Sequence, residues 1–260
     1  MGKTRAEQAA PAVTNSRDTA HLGPVLPDFL ILTSGRTGSS HLVSLLDSHP
    51  DLCCFGELFR PAAASFPFFY VNTRHTDPHE YLASLTDRVG KRLMGLKLTA
   101  NCLATHPEAE RLLQDVRVRV ILLRRANLLA QALSGGLAKV TGVWHSTGGK
   151  RDPRAQVRIE PERIVGILVR LQEQQLALAA LCREHPVFEL SYEDLAAGNR
   201  LDDLQRFLGV EPRPLTSRYS RLDPRPLRDK IENWEDVSAA LAGTQFEDCC
   251  NPSTSDSLPS

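Results

Sequence analysis

Two rhythms of apolar residues run through this chain, one of strands and one of helices. Phe29-Leu30-Ile31-Leu32 is a near-continuous apolar run, the pattern of a parallel strand buried on both faces. A small-residue turn follows, and Leu42, Val43, Leu45 and Leu46 then recur at helical spacing, predicting an amphipathic helix that closes near residues 47–50. Residues 55–59 read as a short extended piece. Residues 78–89 read as a helix, 93–98 (LMGLKL) as a strand and 107–114 as a short helix. Residues 116–123 (VRVRVILL) alternate and then become wholly apolar, which suits a strand entering the centre of a sheet. A helix is expected through 128–137. Pro161 opens the longest helix, over 162–183, because proline is well placed in a first turn. Residues 187–192 form a further strand, 199–208 a helix stopped by Gly209, and 234–241 a last helical piece.

Strands alternating with helices predict parallel βαβ units. The expected fold is therefore α/β: a single domain over residues 28–250 with a central, mostly parallel sheet flanked by helices. Residues 1–27, polar, alanine-rich and punctuated by Pro11, Pro24 and Pro27, read as a flexible lead-in, and 251–260 as a flexible Ser/Pro-rich tail.

Composition narrows the function classes. The 260 residues are 42% hydrophobic and 24% charged, ordinary values for a globular protein. Lys plus Arg equals Asp plus Glu at 31 each, so no overall basic field argues for nucleic acid or an anionic membrane, and any anion site must be local. No uninterrupted apolar run approaches the ~18 residues of a membrane span. The six cysteines (Cys53-Cys54, Cys102, Cys182, Cys249-Cys250) form neither a disulfide framework nor a zinc spacing. They read as free thiols of a cytoplasmic protein without a metal site. The residues do not reveal an oligomeric state.

The local anion site is the first turn. Ser34-Gly35-Arg36-Thr37-Gly38-Ser39-Ser40 sets glycines, hydroxyls and an arginine at the mouth of a helix, where free N–H groups and the helix dipole favour phosphate or sulfate. It is not the Walker pattern G-x-x-x-x-G-K-S/T, because two residues separate Gly35 from Gly38 and Ser39 stands where lysine would. No G-x-G-x-x-G is present either. A second constellation follows the strand VRVRVILL: Arg124 and Arg125 emerge at its carboxyl end, with Ser134 beyond. In a parallel sheet this loop and the first lie on the ligand-binding edge, and two guanidinium forks with a hydroxyl suit a second phosphate. Nine consecutive helical residues would span about 13 Å. Part of the stretch from Arg125 to Ser134 must therefore be loop if both touch one group.

Taken together these pieces resemble the sulfotransferase superfamily, which uses 3′-phosphoadenosine 5′-phosphosulfate (PAPS). TSGRTGSSHLVSLLDSHP is similar to its 5′-phosphosulfate loop, and VILLRRANLLAQALS to its 3′-phosphate segment. FELSYEDLAAGNRLDDLQRFLGV is similar to its late strand, "YEDL" turn and "FLGV" helix end. The first-loop arginine, the double arginine, Gly142-Val143-Trp144-His145 and IENWEDVSAAL look closest to the bacterial branch that sulfates carbohydrates such as trehalose. The resemblance covers roughly residues 28–245. It implies a P-loop-kinase-like sheet and in-line transfer of a sulfuryl group from PAPS to a hydroxyl of a small-molecule or carbohydrate acceptor, with no metal.

It also implies residue roles. Arg36, with Ser34, Gly35, Thr37, Gly38, Ser39 and Ser40, would hold the 5′-phosphosulfate, and Arg125 or Arg124 with Ser134 the 3′-phosphate. Arg228 and Lys230 stand in a late basic loop of the kind that folds over the nucleotide. A glutamate shortly after the first helix is the general base of the bacterial branch, and Glu57 falls there. Its neighbours Phe55, Leu58 and Phe59 predict desolvation and a raised pKa. His49 and His145 are the alternative bases. The aromatic stretch 66–70 and residues 140–158 are expected to shape the acceptor pocket. Two other classes stay open on the residues: a kinase-like nucleotide phosphotransferase, and a non-catalytic nucleotide-binding protein of the same fold.

Overall fold

The computed structural model describes residues 25–59, 77–86, 90–143, 155–219 and 225–251. The lead-in before residue 25, the aromatic stretch 66–70, His145 and the tail beyond residue 251 lie outside the described residues.

Five strands, β1 (Phe29–Thr33), β2 (Leu52–Phe55), β3 (Leu93–Thr99), β4 (Arg119–Arg124) and β5 (Val187–Ser191), form one sheet in the order β2-β3-β1-β4-β5. Every pairing is parallel. The chain leaves β1 toward β2 on one side and leaves β4 toward β5 on the other. The sheet therefore switches direction between its two adjacent central strands, whose carboxyl ends are where open parallel sheets of this kind bind ligands. Thr33 stands beside Leu123 there, so the loops that follow leave side by side.

Both faces of the sheet are covered, which explains why β1 is apolar throughout. Phe29 and Ile31 pack on one face with Leu42, Val43, Leu45 and Leu46 of α1 (Ser39–Asp47), and with residues of α6 (Tyr192–Ala196) and α7 (Leu201–Phe207). Leu30 and Leu32 face α2 (Pro78–Thr86), α3 (Ala100–Thr105) and the end of α5 (Pro161–Leu181). Burying one such leucine is worth about 2 kcal/mol. A third apolar cluster joins α4 (Leu128–Thr141), α5 and α8 (Trp234–Leu241). By length and composition alone α5 meets the measure of a membrane-crossing helix, although Arg170 and Glu173 interrupt its apolar run. Here Ile164, Leu168 and Leu178 bury its inner edge in the core.

Some boundaries differ from the sequence pattern, each for a local reason. The extended piece expected at 55–59 lies earlier, as β2, because Leu52 and Cys54 are the residues buried against β3 and α1. β4 starts at Arg119 rather than 116, because the Asp115 carboxylate accepts the Arg117 N–H and folds that stretch into a turn. α7 starts at Leu201 because Gly198 and Arg200 both have positive φ. α3 and the 3₁₀ character of Pro107–Leu113 were not anticipated.

Candidate active site

The turn after β1 is a left-handed bend. Gly35 and Arg36 have φ of 84° and 57°, and Gly38, the residue before α1, has 76°. A side-chain-bearing residue in that region costs about 1 kcal/mol, so the bend at Arg36 persists only if its surroundings enforce it. They do: Gln131 of α4 donates to Ser34 Oγ at 2.9 Å and to the Gly35 carbonyl at 2.7 Å, and Arg125 Nη1 approaches the Arg36 carbonyl at 3.5 Å. The hydroxyls of Thr33 and Thr37 bond to each other beneath the turn. Gly38 must be glycine for packing as well, since a Cβ there would lie 2.8 Å from the Tyr192 ring. No side chain caps α1 and its first turn holds no acid, so the helix start suits an anion.

The second constellation folds onto the first. Arg36 donates to Ser134 Oγ from Nε (3.2 Å) and Nη2 (3.0 Å). Arg125 lies against the loop with its guanidinium 4.2 Å from the centre of the Tyr192 ring. Arg124, the last residue of β4, turns instead to Glu189 on the neighbouring edge strand and is paired there. α4 begins only at Leu128, so the 125–127 loop supplies the slack needed to bring Arg125 and Ser134 to one place. Glu193 of the YEDL motif shapes that loop by accepting the N–H groups of Ala126 (3.1 Å) and Asn127 (3.4 Å).

Glu57 is not in a purely apolar setting. Its Oε1 lies 2.9 Å from Nζ of Lys97, a β3 lysine whose side chain is only 3% exposed, against 19% for Glu57. The same ammonium stands 3.4 Å from Ser39 Oγ and 3.5 Å from Ser40 Oγ, at the start of α1. The carboxylate expected from the sequence to be desolvated among apolar neighbours is instead held in a buried ion pair. Nearby, burial and the Glu57 charge push the Cys102 thiol up to about 12.

His49 sits at the far end of α1 from the turn. Its Nδ1 accepts the Asp51 N–H (3.0 Å) and its Nε2 faces the Glu211 carbonyl (3.0 Å), so both nitrogens are taken up in structure. Lys230 is buried and its carbonyl accepts from Val157, a residue that rests on Gly136 of α4. Arg228 is exposed and lines a cavity of about 370 Å³ with Asp229, Glu232, Glu235 and Asp236. Among the described residues, no group of three or more His, Cys, Asp or Glu could hold a metal ion.

Lys97, Gln131 and Gln175 were not singled out in the sequence, and Tyr192 entered only as part of the YEDL motif. A charge inside LMGLKL was the legible signal, because a strand buried in a parallel sheet tolerates a lysine only if something pairs with it.

Fold and site define a class: a doubly wound α/β protein in which two arginines, a lysine and a carboxylate gather around the turn and helix start at the sheet's switch point. No family model and no curated protein matches this chain. Among solved structures it is similar to a sulfotransferase from Alicyclobacillus acidocaldarius, at 17% identity and a TM-score of 0.45 over 87% of this chain and 96% of that one.

Proposed function

We propose that the protein is a sulfotransferase that moves the sulfuryl group of PAPS to a hydroxyl of a small-molecule acceptor, with Glu57 as general base. The observation that carries this reading is the Arg36–Ser134 contact, with Arg125 on the carbonyl of the same turn. The two segments that the motifs assign to the two ends of a nucleotide touch each other through Arg36. The uncapped helix start and its converging cations fit a bisubstituted anion. PAPS, when bound, supplies the activated sulfuryl group. Transfer of that kind asks little covalent chemistry of a protein, so positioning and charge stabilisation dominate.

Arg36, Thr37, Gly38, Ser39 and Ser40 hold the 5′ end, with Arg36 countering the negative charge that grows as the bond to the donor breaks. Arg125 and Ser134 hold the 3′-phosphate, and Arg124 takes no part. The Glu57 carboxylate removes the acceptor's proton. Lys97 pairs with that carboxylate and adds a positive charge beside the hydroxyls of Ser39 and Ser40. The acceptor is a hydroxyl compound, in keeping with the carbohydrate-sulfating branch the motifs resemble.

Thermal shift separates this reading from the kinase-like and non-catalytic ones. Adenosine 3′,5′-bisphosphate at a hundred times its Kd should stabilise the protein by about 2.7 kcal/mol, and ATP with Mg²⁺ should not. Incubation with labelled PAPS and a panel of hydroxyl compounds, read by mass, then tests transfer. Stabilisation by ATP–Mg²⁺ alone would overturn the reading. Binding of the bisphosphate with no transfer to any acceptor, and no slow release of free sulfate, would favour the non-catalytic alternative.

A further inference from the structure

Gln131 is 1% exposed and all of its amide is used. Its nitrogen serves Ser34 Oγ and the Gly35 carbonyl, and its oxygen accepts from Gln175 Nε2 of α5 at 3.3 Å. Gln175 Nε2 also donates to the Arg125 carbonyl at 3.1 Å. Two neutral side chains thus tie the loop after β1 to the loop after β4. Residues 131 and 134 lie three apart on one helix and so share a face. α4 therefore grips the turn twice, through Ser134 on the Arg36 side chain and through Gln131 on the backbone.

The backbone grip sets direction. A trans peptide points its N–H opposite to its C=O. Holding the Gly35 carbonyl toward Gln131 turns the Arg36 N–H the other way, and holding the Arg36 carbonyl toward Arg125 does the same for Thr37 N–H. Without these anchors the left-handed bend at Arg36 has no reason to persist.

We infer that Gln131 and Gln175 form a positioning relay: Gln131 aims the backbone donors of the Gly35–Thr37 turn at the 5′ anion, and Gln175 locks Gln131 and the Arg125 loop in register. The inference rests on the sulfotransferase reading for the identity of the anion. It goes beyond that reading in naming two residues that touch neither the donor nor the acceptor.

The test is calorimetric titration of the full chain with adenosine 5′-phosphate and, separately, adenosine 3′-phosphate. Gln131→Leu keeps the side chain's size and removes every polar contact. It should weaken the 5′ probe by about tenfold or more while leaving the 3′ probe within about threefold. Gln175→Leu should weaken the 5′ probe by about threefold and, by freeing the Arg125 carbonyl, the 3′ probe as well; toward the 5′ probe the double variant should be no worse than Gln131→Leu alone. A merely structural role for Gln131 would make Gln131→Leu weaken both probes alike. That result, or a Gln131→Leu protein binding the 5′ probe as wild type does, overturns the relay. If Gln131→Leu does not fold, Gln175→Leu carries the test, and unchanged 5′ affinity there overturns it equally. A wild-type protein that binds adenosine 3′,5′-bisphosphate no better than adenosine would instead sink the sulfotransferase reading, and the relay with it.

Discussion

Removing either partner of the Glu57–Lys97 pair should cost stability unequally, and the inequality follows from burial. At 2.9 Å and an effective dielectric of about 20, two unit charges attract by about 6 kcal/mol. That gross attraction offsets the desolvation of both ions, so the net effect of a substitution depends on the ion left behind. Glu57→Gln leaves an ammonium that is 3% exposed facing, among the described residues, a neutral oxygen and two serine hydroxyls, and should cost about 3–4 kcal/mol. Lys97→Met removes the more deeply buried charge and leaves a carboxylate that is 19% exposed and can recruit water, for about 1–2 kcal/mol. The double variant should fall short of the sum by about 2 kcal/mol. Urea denaturation gives these values, and single domains hold about 5–15 kcal/mol, so each variant should remain folded. Additive losses, or a Lys97→Met loss as large as that of Glu57→Gln, would refute the reasoning.

Three further outcomes follow from the same geometry. Arg125→Ala should weaken adenosine 3′,5′-bisphosphate by about tenfold or more, while Arg124→Ala, removing an exposed pair with Glu189, should leave affinity unchanged and stability within about 0.5 kcal/mol. Gly38→Ala should cost about 1–3 kcal/mol in denaturation, through its φ of 76° and the approach of a Cβ to Tyr192, and should lower nucleotide affinity by moving the ring on which Arg125 rests. Acid titration should show stability falling between about pH 4 and pH 2. The side-chain hydrogen bond from Arg117 lowers Asp115 to about 2, and the His79 N–H lowers Asp77. A depressed carboxylate stabilises the fold above its unfolded value near 4 and loses that contribution as pH falls through the folded one. Replacing both by Asn should flatten this part of the profile.

The sheet was legible because most strands are short apolar runs bounded by turns: β1, β3, β5 and α8 fall where the pattern puts them, and β4 differs only in its late start. β2 was misplaced because four residues after a proline carry too little pattern to separate strand from turn. At the site, the glycine turn and the arginine pair were readable from their place between strand and helix. The choice between Arg124 and Arg125 was not, since one residue of register decides which of them faces the loop and which faces Glu189. Lys97 and Gln131 escaped notice for a common reason. Each sits among apolar neighbours, and its partners lie 40 or more positions away in the chain.

The most direct test of the two-ended grip is calorimetry of the wild-type protein with adenosine 3′,5′-bisphosphate and each of its monophosphates at fixed salt. If Arg36 with the helix start holds the 5′ end and Arg125 with Ser134 the 3′ end, the bisphosphate should bind at least about tenfold more tightly than either monophosphate. A bisphosphate that binds no better than one of its halves would mean that only one end is held, and would contradict the account.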